Sequence, residues 1–414
     1  MCRIVAMRIL YIHQYFATHR GRTGTRSLEQ ARAMVADGHE VTMLVSSAQL
    51  RDDEIPAGRG VIRRGTIAGL PVIVLHVPYD QRMGYLRRIA AFLKFMMLAC
   101  RVVLGGPRWD LIYASSTPLT IGVPALAGKL FRSIPYFFEV RDLWPDIPVA
   151  LGIIKDGVVA RVLRVAELMI YRHARAIVAA NDDMARRIAE KTQNRKPIVV
   201  APNACDIDLF NPDRSDGEFR KTHGLDGKIV CIHAGPLGKV NHLDCVLDAA
   251  EQLGDADRFA FVLIGEGREK DRLKAEVDQR GLSNILILDA IPKKDLTAVL
   301  ADCDIGLVTV MPIPELEWNC SNKFCDYLSS GLPIVLNYQG WHSRLLADHQ
   351  CGLSAGQGDT NAFAEAIGKL AGDAELRAGY ALRARALAET VLNRRNVVIP
   401  ILDELTAVSL PDTL

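Results

Sequence analysis

The sequence has no apolar run long enough to span a bilayer. Its best candidate, residues 89–104, is interrupted by Lys94 and Arg101, whereas a membrane helix needs about 20 mostly apolar residues. The N-terminal apolar stretch, residues 1–16, lacks a small-residue cleavage site and therefore indicates a first strand and not a secretory signal. These absences favour a cytoplasmic protein.

The signatures of zinc enzymes and of the familiar hydrolases are also absent. The nine cysteines form no Cys-x-x-Cys pair, and Cys320 and Cys325 have no His or Cys set at zinc spacing. The sequence shows neither a Ser-His-Asp ordering nor His-Glu-x-x-His. We therefore expect no metal site, and most cysteines should be buried thiols in a reducing compartment.

Charge is unevenly distributed along the 414 residues, although the net charge is only +2. Residues 1–205 hold 29 Lys and Arg against 16 Asp and Glu, whereas residues 206–414 hold 21 against 32. A basic N-terminal half predicts an acidic partner, such as anionic lipid headgroups or a pyrophosphate. Nucleic acid is less favoured, because the basic residues are spread out and no nucleic-acid signature is present.

Strand and helix patterns alternate twice, which predicts an α/β protein with two doubly wound parallel sheets and a cleft between them. The length also favours two domains. We place an N-terminal domain at 7–203, a C-terminal domain at 204–395, and a helix or tail at 396–414. The predicted strands are 8–15, 40–45, 71–75, 111–115, 136–140, 176–179, 197–200, 228–234, 259–264, 285–288, 305–310 and 333–337.

Residues 321–336 are the most informative segment. They predict a short helix that begins at Ser321 or Asn322 and ends at Gly331, followed by a buried strand. Lys323 would lie in the first helical turn, where a cation is unfavourable unless an anion is bound there. Asp326, one turn later, could accept hydrogen bonds from a ribose. A solvated Lys323–Asp326 pair is the alternative.

A glycine-bearing loop follows the first strand and the residue His13. Gly21 and Gly24 would let the backbone approach a phosphate, and Arg22 and Arg26 could pair with it. The spacing matches neither a dinucleotide-binding nor a Walker loop, so an ordinary flexible loop is the alternative.

Two further glycine loops lie in the acidic half. Gly235 and Gly238 precede Lys239 between a strand and a helix, which favours an anion site, with a tight turn and a solvated lysine as the alternative. Gly265 and Gly267 follow the next strand. A structural role for these glycines, in a tight turn, is as well supported as contact with a ligand.

Charged residues directly follow the strand at 136–140. Glu139, Arg141 and Asp142, with Trp144 close behind, could orient sugar hydroxyls or supply a general base. The alternative is an Arg141–Asp142 structural pair with Trp144 packed in the core.

The segment 85–104 mixes basic and apolar residues. It could lie on a membrane surface with its basic residues at headgroup level. A helix packed on the sheet with a basic outer face is the alternative.

Taken together, these segments resemble the retaining glycosyltransferases of family four, which have the GT-B fold. The closest branch is that of bacterial O-antigen and capsule sugar transferases. The matching segments are 8–16, 139–145, 202–206, 265–267 and 322–335. Their order and spacing, not any one of them, carry the resemblance.

The resemblance implies a nucleotide-sugar donor in the C-terminal domain, an acceptor in the N-terminal domain, retention of configuration and no metal requirement. Asp326 matches the second glutamate of the family's Glu-x7-Glu motif, whereas the first falls at Trp318. The family's pyrophosphate-binding Arg and Lys fall at Pro236 and Asn241, so Lys239 and Lys323 would supply the charge. Asp142 matches the residue near the reacting sugar.

The predicted roles of the site residues follow from both arguments. We assign catalysis to Asp142, Lys323 and Glu139. We assign donor binding to Gly235, Gly238, Lys239, Gly265, Gly267, Ile291, Asn322, Lys323 and Asp326. We assign the acceptor or phosphate side to His13, Gly21, Arg22, Gly24, Arg26 and Arg141.

The expected function is transfer of a sugar from a UDP-sugar to a polyprenyl-diphosphate-linked glycan at the inner face of the membrane. A UDP-N-acetylhexosamine 2-epimerase-like enzyme is one alternative. A nucleotide-sugar-binding subunit without activity is another, because Trp318 replaces a glutamate.

Overall fold

The computed structural model describes residues 6–21, 24–79 and 83–409, which fall into two compact units. The first unit contains the described residues up to Pro202 together with those from Val397 onward. The second runs from Asn203 to Asn396.

The first unit is built on an eight-stranded sheet. Its strands are β1 (Arg8–His13), β2 (Glu40–Ser46), β3 (Ile62–Ile67), β4 (Leu70–Leu75), β5 (Leu111–Ser115), β6 (Tyr136–Val140), β7 (Ala176–Ala179) and β8 (Ile198–Val200). They lie in the order β3-β4-β2-β1-β5-β6-β7-β8, and only β3 and β4 pair antiparallel. Its helices are α1 (Arg26–Ala36), α2 (Tyr85–Gly105), α3 (Gly122–Arg132), α4 (Asp146–Ala150), α5 (Val158–His173) and α6 (Asp182–Thr192).

The second unit has a six-stranded parallel sheet in the order β11-β10-β9-β12-β13-β14. The strands are β9 (Ile229–Ala234), β10 (Phe259–Ile264), β11 (Ile285–Leu288), β12 (Ile305–Val308), β13 (Ile334–Leu336) and β14 (Gly352–Ser354). The helices are α7 (Glu218–His223), α8 (Asp244–Leu253), α9 (Lys270–Arg280), α10 (Leu296–Ala301), α11 (Asn322–Ser329), α12 (Trp341–His349), α13 (Thr360–Gly372) and α14 (Ala374–Thr390). The last helix, α15 (Arg394–Ser409), continues into the first unit.

The predicted α/β class with two Rossmann-like sheets is confirmed. Strands such as β1, β5, β10 and β13 are buried almost throughout, because helices cover both faces of a parallel sheet. In the second unit Phe261, Val246, Val335 and Phe363 join sheet and helices in one core.

Each sheet has a point at which the strand order reverses, between β1 and β5 in the first unit and between β9 and β12 in the second. Loops at the carboxyl ends of strands beside such a point form the usual ligand site of doubly wound folds. The fold therefore directs attention to the loops after β1, β5 and β6 and to those after β9 and β12.

The antiparallel edge strand β3 is missing from the sequence-based prediction. Its residues alternate poorly because Arg63, Arg64 and Gly65 interrupt the apolar pattern, and only Ile67 is fully buried. The turn to β4 consists of Ala68 and Gly69, both at positive φ, where an Asn-Gly or Asp-Gly pair would have given a stronger signal.

The segment 85–104 forms helix α2, which packs against α3. Among the described residues, no helix combines the length and the apolar character needed to cross a membrane.

Candidate active site

The site in the second unit begins with the loop that follows β9. The amide of Gly235 donates to Ile264 O at 2.9 Å, and that of Leu237 donates to Glu266 O at 2.9 Å. The loop is therefore held against the end of β10. Because these two amides already donate to backbone carbonyls, they are not available to an anion. The part of the loop that can face an anion is the 3-10 turn Lys239–Asn241.

Gly265 and Gly267 make this close approach feasible. A Cβ atom on Gly265 would lie 1.8 Å from Gly235 O, and one on Gly267 would lie 1.9 Å from Leu237 O. Neither atom could be accommodated without moving backbone. The structure thus gives both glycines a loop-shaping role next to the predicted donor site.

Lys323 crosses from the start of α11 to this loop. Its ammonium donates to Asn241 Oδ1 at 2.7 Å and lies 3.4 Å from His233 Nε2. Burial lowers the pKa of Lys323 to about 7, and that of His233 is lowered by burial and by Lys323. Among the described residues no carboxylate lies within ion-pair distance of Lys323. A largely buried ammonium with neutral partners is suited to receive an anion.

The position of α11 is fixed by contacts of its Tyr327 with β9 and β12. The Tyr327 hydroxyl accepts a hydrogen bond from the Ala234 amide at 2.7 Å, at the end of β9. A Cβ on Gly306 would lie 2.5 Å from the Tyr327 ring, so a larger residue in β12 would exclude it. Ser321 is the N-cap as predicted, but its side chain makes no capping bond. The Tyr327 side chain, and not an N-terminal capping bond, therefore holds this helix in place.

Asp326 does not pair with Lys323. Its carboxylate lies 3.0 Å from Lys293 Nζ, and both side chains are 15% exposed. Lys293 also lies over the Phe210 ring, with its Nζ 5.1 Å from the centroid. Burial lowers the pKa of Lys293, but the carboxylate outweighs that effect and raises the pKa above its ordinary value. The alternative of a solvated Lys323–Asp326 pair is therefore ruled out, and Lys293 already contacts the carboxylate that we predict binds a ribose.

The remaining predicted donor residues lie at the same strand edge. Asn322 is the first residue of α11, and Ile291 is partly buried in the loop after β11. Lys239 is exposed and, with Gly238, lines a cavity of about 260 Å³. His242, Leu243, Asp244, Glu269, Arg272, Leu273 and Met311 complete its wall.

In the first unit, Glu139 lies fully buried at the end of β6. Arg26 donates to its carboxylate through Nε at 2.9 Å and Nη2 at 2.7 Å, and Gln30 donates at 2.9 Å, with a further bond from Ser115. Burial alone would raise the pKa of Glu139, but Arg26 and Arg141 together with these hydrogen bonds lower it to about 2. Such a carboxylate is a permanent structural anion, which does not fit the catalytic role predicted for it.

The predicted phosphate-side residue Arg26 is likewise committed elsewhere. Besides Glu139, its guanidinium donates to Ala201 O at 2.6 Å and to Pro202 O. It therefore ties α1 to the last residues before the second unit. His13 is also buried, with Nδ1 3.2 Å from Ser115 O. Burial and Arg141 lower the pKa of His13 to about 4, so this ring is neutral near pH 7.

Asp142 and Arg141 remain at the accessible end of β6. Asp142 Oδ2 accepts from Thr117 Oγ1 at 2.7 Å, and the Arg141 amide donates to Ser116 Oγ at 3.0 Å. Both side chains are partly exposed, as is Trp144. The structure shows no ion pair between Asp142 and Arg141 among the described residues, so the alternative of a structural pair is not supported.

Of the loop after β1, Gly21 is a turn residue whose amide donates to Thr18 O at 2.9 Å. Gly24 precedes the first turn of α1. Arg22, predicted to bind phosphate, lies outside the described residues.

Sequence reasoning missed several partners of the predicted residues, among them Asn241, His233, Lys293 and Gln30. By the resemblance, Asn241 falls where a phosphate-binding lysine is expected, and in the structure its amide oxygen accepts a hydrogen bond from Lys323. Lys293 could have been suspected only because it precedes Lys294 in a short loop after a strand. In the described residues, no group of three His, Cys, Asp or Glu side chains is arranged to hold a metal ion.

Comparison with known proteins identifies the architecture. Residues 23–204 match the model of the "Glycosyl transferase 4-like domain", and residues 228–373 match that of "Glycosyl transferases group 1". Together they cover most of the chain.

Two curated relatives are similar over long segments. The "Probable glycosyltransferase WbjE" of Pseudomonas aeruginosa is 26% identical over 228 residues, which is 54% of this chain and 56% of that protein. The chain thus spans little more than half of that relative. The "Putative colanic acid biosynthesis glycosyl transferase WcaI" of Escherichia coli K12 is 23% identical over 314 residues, 73% of this chain and 76% of that one.

Among solved structures, HepE of Anabaena in complex with UDP-glucose superposes with a TM-score of 0.71 at 18% identity. The match covers 97% of this chain and 100% of HepE. At this identity the likeness speaks for the fold alone. With two matching family models, glycosyltransferase relatives and this fold, the chain belongs to the family-four type of glycosyltransferases with the GT-B fold.

Proposed function

We propose that this protein is a retaining glycosyltransferase that moves a sugar from a UDP-sugar to a polyprenyl-diphosphate-linked glycan during synthesis of a cell-surface polysaccharide. One observation carries the donor half of the proposal. Lys323 places a largely buried ammonium, without a carboxylate partner among the described residues, at the strand reversal of the second unit.

The chemistry of sugar transfer explains why such a group is useful. As the bond from the sugar to the diphosphate breaks, negative charge grows on the departing UDP. A fixed ammonium and the amino end of α11 stabilise that charge more in the transition state than in the bound donor. Asn241 and His233 are neutral, so they orient Lys323 without cancelling its charge.

The relatives support the choice of donor and pathway. WbjE and WcaI are both named as glycosyltransferases, and WcaI is assigned to colanic acid biosynthesis. HepE was crystallised with UDP-glucose. Asp326 is the residue of this chain that we propose binds the ribose, one turn beyond Lys323 on α11.

The first unit is proposed to bind the acceptor. Asp142 is the accessible carboxylate at the end of β6, and Thr117 orients it. We propose that it lies near the reacting sugar, whereas the buried Glu139 holds the surrounding loops in place. Lys323 and Lys239 supply positive charge for the diphosphate, so we propose that transfer does not require a metal ion.

The test begins with ligand binding. Thermal unfolding with UDP, GDP and dTDP should show the largest rise in melting temperature with UDP, because a ligand of the native state stabilises it by mass action. Purified enzyme is then incubated with UDP-sugars and detergent-solubilised polyprenyl-diphosphate glycans, in the presence and absence of EDTA. We expect UDP release only when acceptor is present, no effect of EDTA, and a product with the anomeric configuration of the donor.

Other outcomes would identify another function. Formation of an epimeric UDP-sugar without acceptor would indicate an epimerase. UDP binding without UDP release, under every acceptor tried, would indicate a binding subunit. Absence of binding by any nucleotide would contradict the proposal.

A further inference from the structure

The first unit exposes many large apolar side chains on three neighbouring helices. Twelve of the eighteen exposed large apolar side chains among the described residues lie between positions 86 and 169. They belong to α2, the end of α3, and α5 with its preceding turn, and α3 contacts both of the other helices. We call this surface the α2–α5 face. Its apolar members are Leu86, Leu93, Met97, Leu104, Leu130, Phe131, Ile153, Val158, Val159, Val162, Val165 and Met169.

Helix α5 carries its apolar stripe on the outside. Val158, Val162, Val165 and Met169 are spaced to share one side of the helix, and they are 78%, 61%, 54% and 44% exposed. The inner side holds Ala160, Ile170 and Tyr171 together with one charged residue, Glu167, which is 1% exposed and bonded to Lys191 at 2.7 Å. A surface helix normally places its polar side outward, so α5 is arranged to meet an apolar medium.

The charge on this face is almost entirely positive. Helices α2, α3 and α5 contain nine Lys and Arg, and their single acidic residue is the buried Glu167. Lys94, Arg161 and Arg172 are exposed and have no ion-pair partner among the described residues. Asp156, just before α5, is already paired with Arg164 at 2.8 Å. Exposed apolar groups flanked by cations match the boundary between headgroups and acyl chains of an anionic bilayer.

The face also reaches the edge of the sheet at which we place the acceptor. Helices that connect parallel strands run opposite to them, so α2 and α5 begin at the carboxyl ends of the strands. Leu86, Ile153 and Val158 therefore lie at the same edge as Asp142.

We propose that the α2–α5 face docks the protein on an anionic phospholipid surface, with α5 at the centre of the contact. The inference rests on the proposed function, because it brings the acceptor edge to the lipid that would hold a polyprenyl anchor. Apolar side chains enter the headgroup boundary, and Arg161, Arg172 and Lys94 contact lipid phosphates.

A second copy of the chain fits this surface less well. A twofold contact would bring the same patch of each copy together, so the positively charged face of one copy would meet the positively charged face of the other. Juxtaposed like charges oppose such an association.

The experiment measures co-flotation of the full chain with vesicles of phosphatidylcholine alone or with 30% phosphatidylglycerol. We expect binding to the anionic vesicles that weakens with salt. Each cation near the membrane surface raises the vesicle affinity about fivefold. The charge reversal R161E/R172E should therefore lower the affinity for anionic vesicles at least about tenfold. V158S/V162S should lower it at every salt concentration. The matched controls K274E/K369E and L382S, which alter exposed residues of the second unit, should bind like wild type.

Each result has a distinct meaning. Unchanged UDP-dependent melting and unchanged transfer to a detergent-solubilised acceptor show that the α5 variants are folded. No vesicle binding by an enzyme active on that acceptor overturns this inference and leaves the proposed function intact. Vesicle binding by a chain that binds no UDP-sugar contradicts the proposed function alone. A dimer in solution that V158S/V162S dissociates would assign the face to self-association and overturn the lipid proposal.

Discussion

The guanidinium of Arg26 and the carboxylate of Glu139 form a buried ion pair that links α1 to the end of β6, with Arg26 6% and Glu139 0% exposed. Arg26 also donates to the carbonyls of Ala201 and Pro202, so one side chain joins three parts of the first unit. These contacts indicate a structural role for the pair, and Asp142 is the carboxylate that we propose lies near the reacting sugar.

The first prediction concerns this pair. Glu139→Gln should destabilise the first unit by about 3–5 kcal/mol, because it leaves the Arg26 charge buried without its partner. The measurement is the free energy of unfolding in urea. Glu190→Gln, at an exposed carboxylate, should change it by less than about 0.5 kcal/mol. In wild type the stabilisation by Glu139 is complete above pH 4.5 and is lost as the pH falls towards 2. A stable Glu139→Gln enzyme with greatly reduced turnover would instead restore a catalytic role.

The second prediction concerns turnover. Lys323→Ala should lower kcat about 30-fold to 1000-fold, since loss of one preorganised charge-assisted contact costs about 2–4 kcal/mol in the transition state. Steady-state UDP release measures the change. Lys369→Ala, at an exposed lysine of α13, is the control and should behave as wild type. Near-normal turnover of Lys323→Ala would remove Lys323 from the mechanism.

The third prediction concerns pH. Free Lys323 has a pKa of about 7, and a bound diphosphate should raise that pKa. Donor affinity should therefore fall above pH 7, by up to about tenfold per pH unit, because binding then requires uptake of a proton. Calorimetry across pH 6–9 tests this dependence. Lys323→Met should bind more weakly and with little pH dependence, and an unchanged pH profile in that variant would contradict the assignment.

The same group has a predicted effect on the unliganded protein. Its folded pKa is depressed, so the unfolded chain binds more protons between pH 7 and 10.5 and stability due to this group rises with pH in that window. Near pH 7 and below, Lys323→Met should therefore raise the free energy of unfolding by about 1–3 kcal/mol. If Lys323→Met instead lowered the free energy of unfolding, the contacts of the Lys323 ammonium would stabilise it more than its burial destabilises it.

The fourth prediction separates donor affinity from chemistry. Asp326→Ala should raise the KM for the donor about 10-fold to 100-fold with little change in kcat, because ribose contacts exist in both ground and transition states. Lys293→Met should raise KM by a smaller factor, since it disturbs the orientation of Asp326. Lys294→Met, at an exposed neighbour, is the matched control. An unchanged donor KM in Asp326→Ala would exclude the ribose contact.

The fifth prediction compares two glycines near the same loop. Gly265→Ala should destabilise the second unit by about 2–4 kcal/mol, because its Cβ would lie 1.8 Å from Gly235 O. Gly238→Ala should be tolerated within about 0.5 kcal/mol, because no atom lies within 4 Å of its Cβ and its φ is −122°. Equal effects in thermal unfolding would mean that the loop is not packed against β10 as described.

Local patterns in the sequence predict the repeating part of this molecule well. The bounds of β5, β6, β7, β10 and β11 coincide with the apolar runs, because a strand covered on both faces must be apolar throughout. The helix that starts after Ser321 is equally clear from its caps. Both features depend on residues adjacent in the chain.

The partners of the site residues cannot be found in this way. Arg26 and Glu139 are 113 positions apart, and Lys323 and Asn241 are 82 apart. From the sequence, Arg26 next to a glycine loop predicts a phosphate ligand. The structure shows that its guanidinium instead binds backbone carbonyls. Similarly, Lys293 lies in a loop of ordinary composition, and only the fold brings it to Asp326.

The hydrogen bond from Ala234 to Tyr327 has a consequence for how new specificities arise in this architecture. Because the phenol fits only above a glycine at position 306, the height of α11 is set by the sheet and not by what is bound. The position of the proposed diphosphate site at the start of α11 is thus set by contacts within the protein. We therefore expect that loops around the proposed site can change in sequence without moving α11. A homologue with a bulky residue in place of Gly306 would have to position its lysine through different contacts.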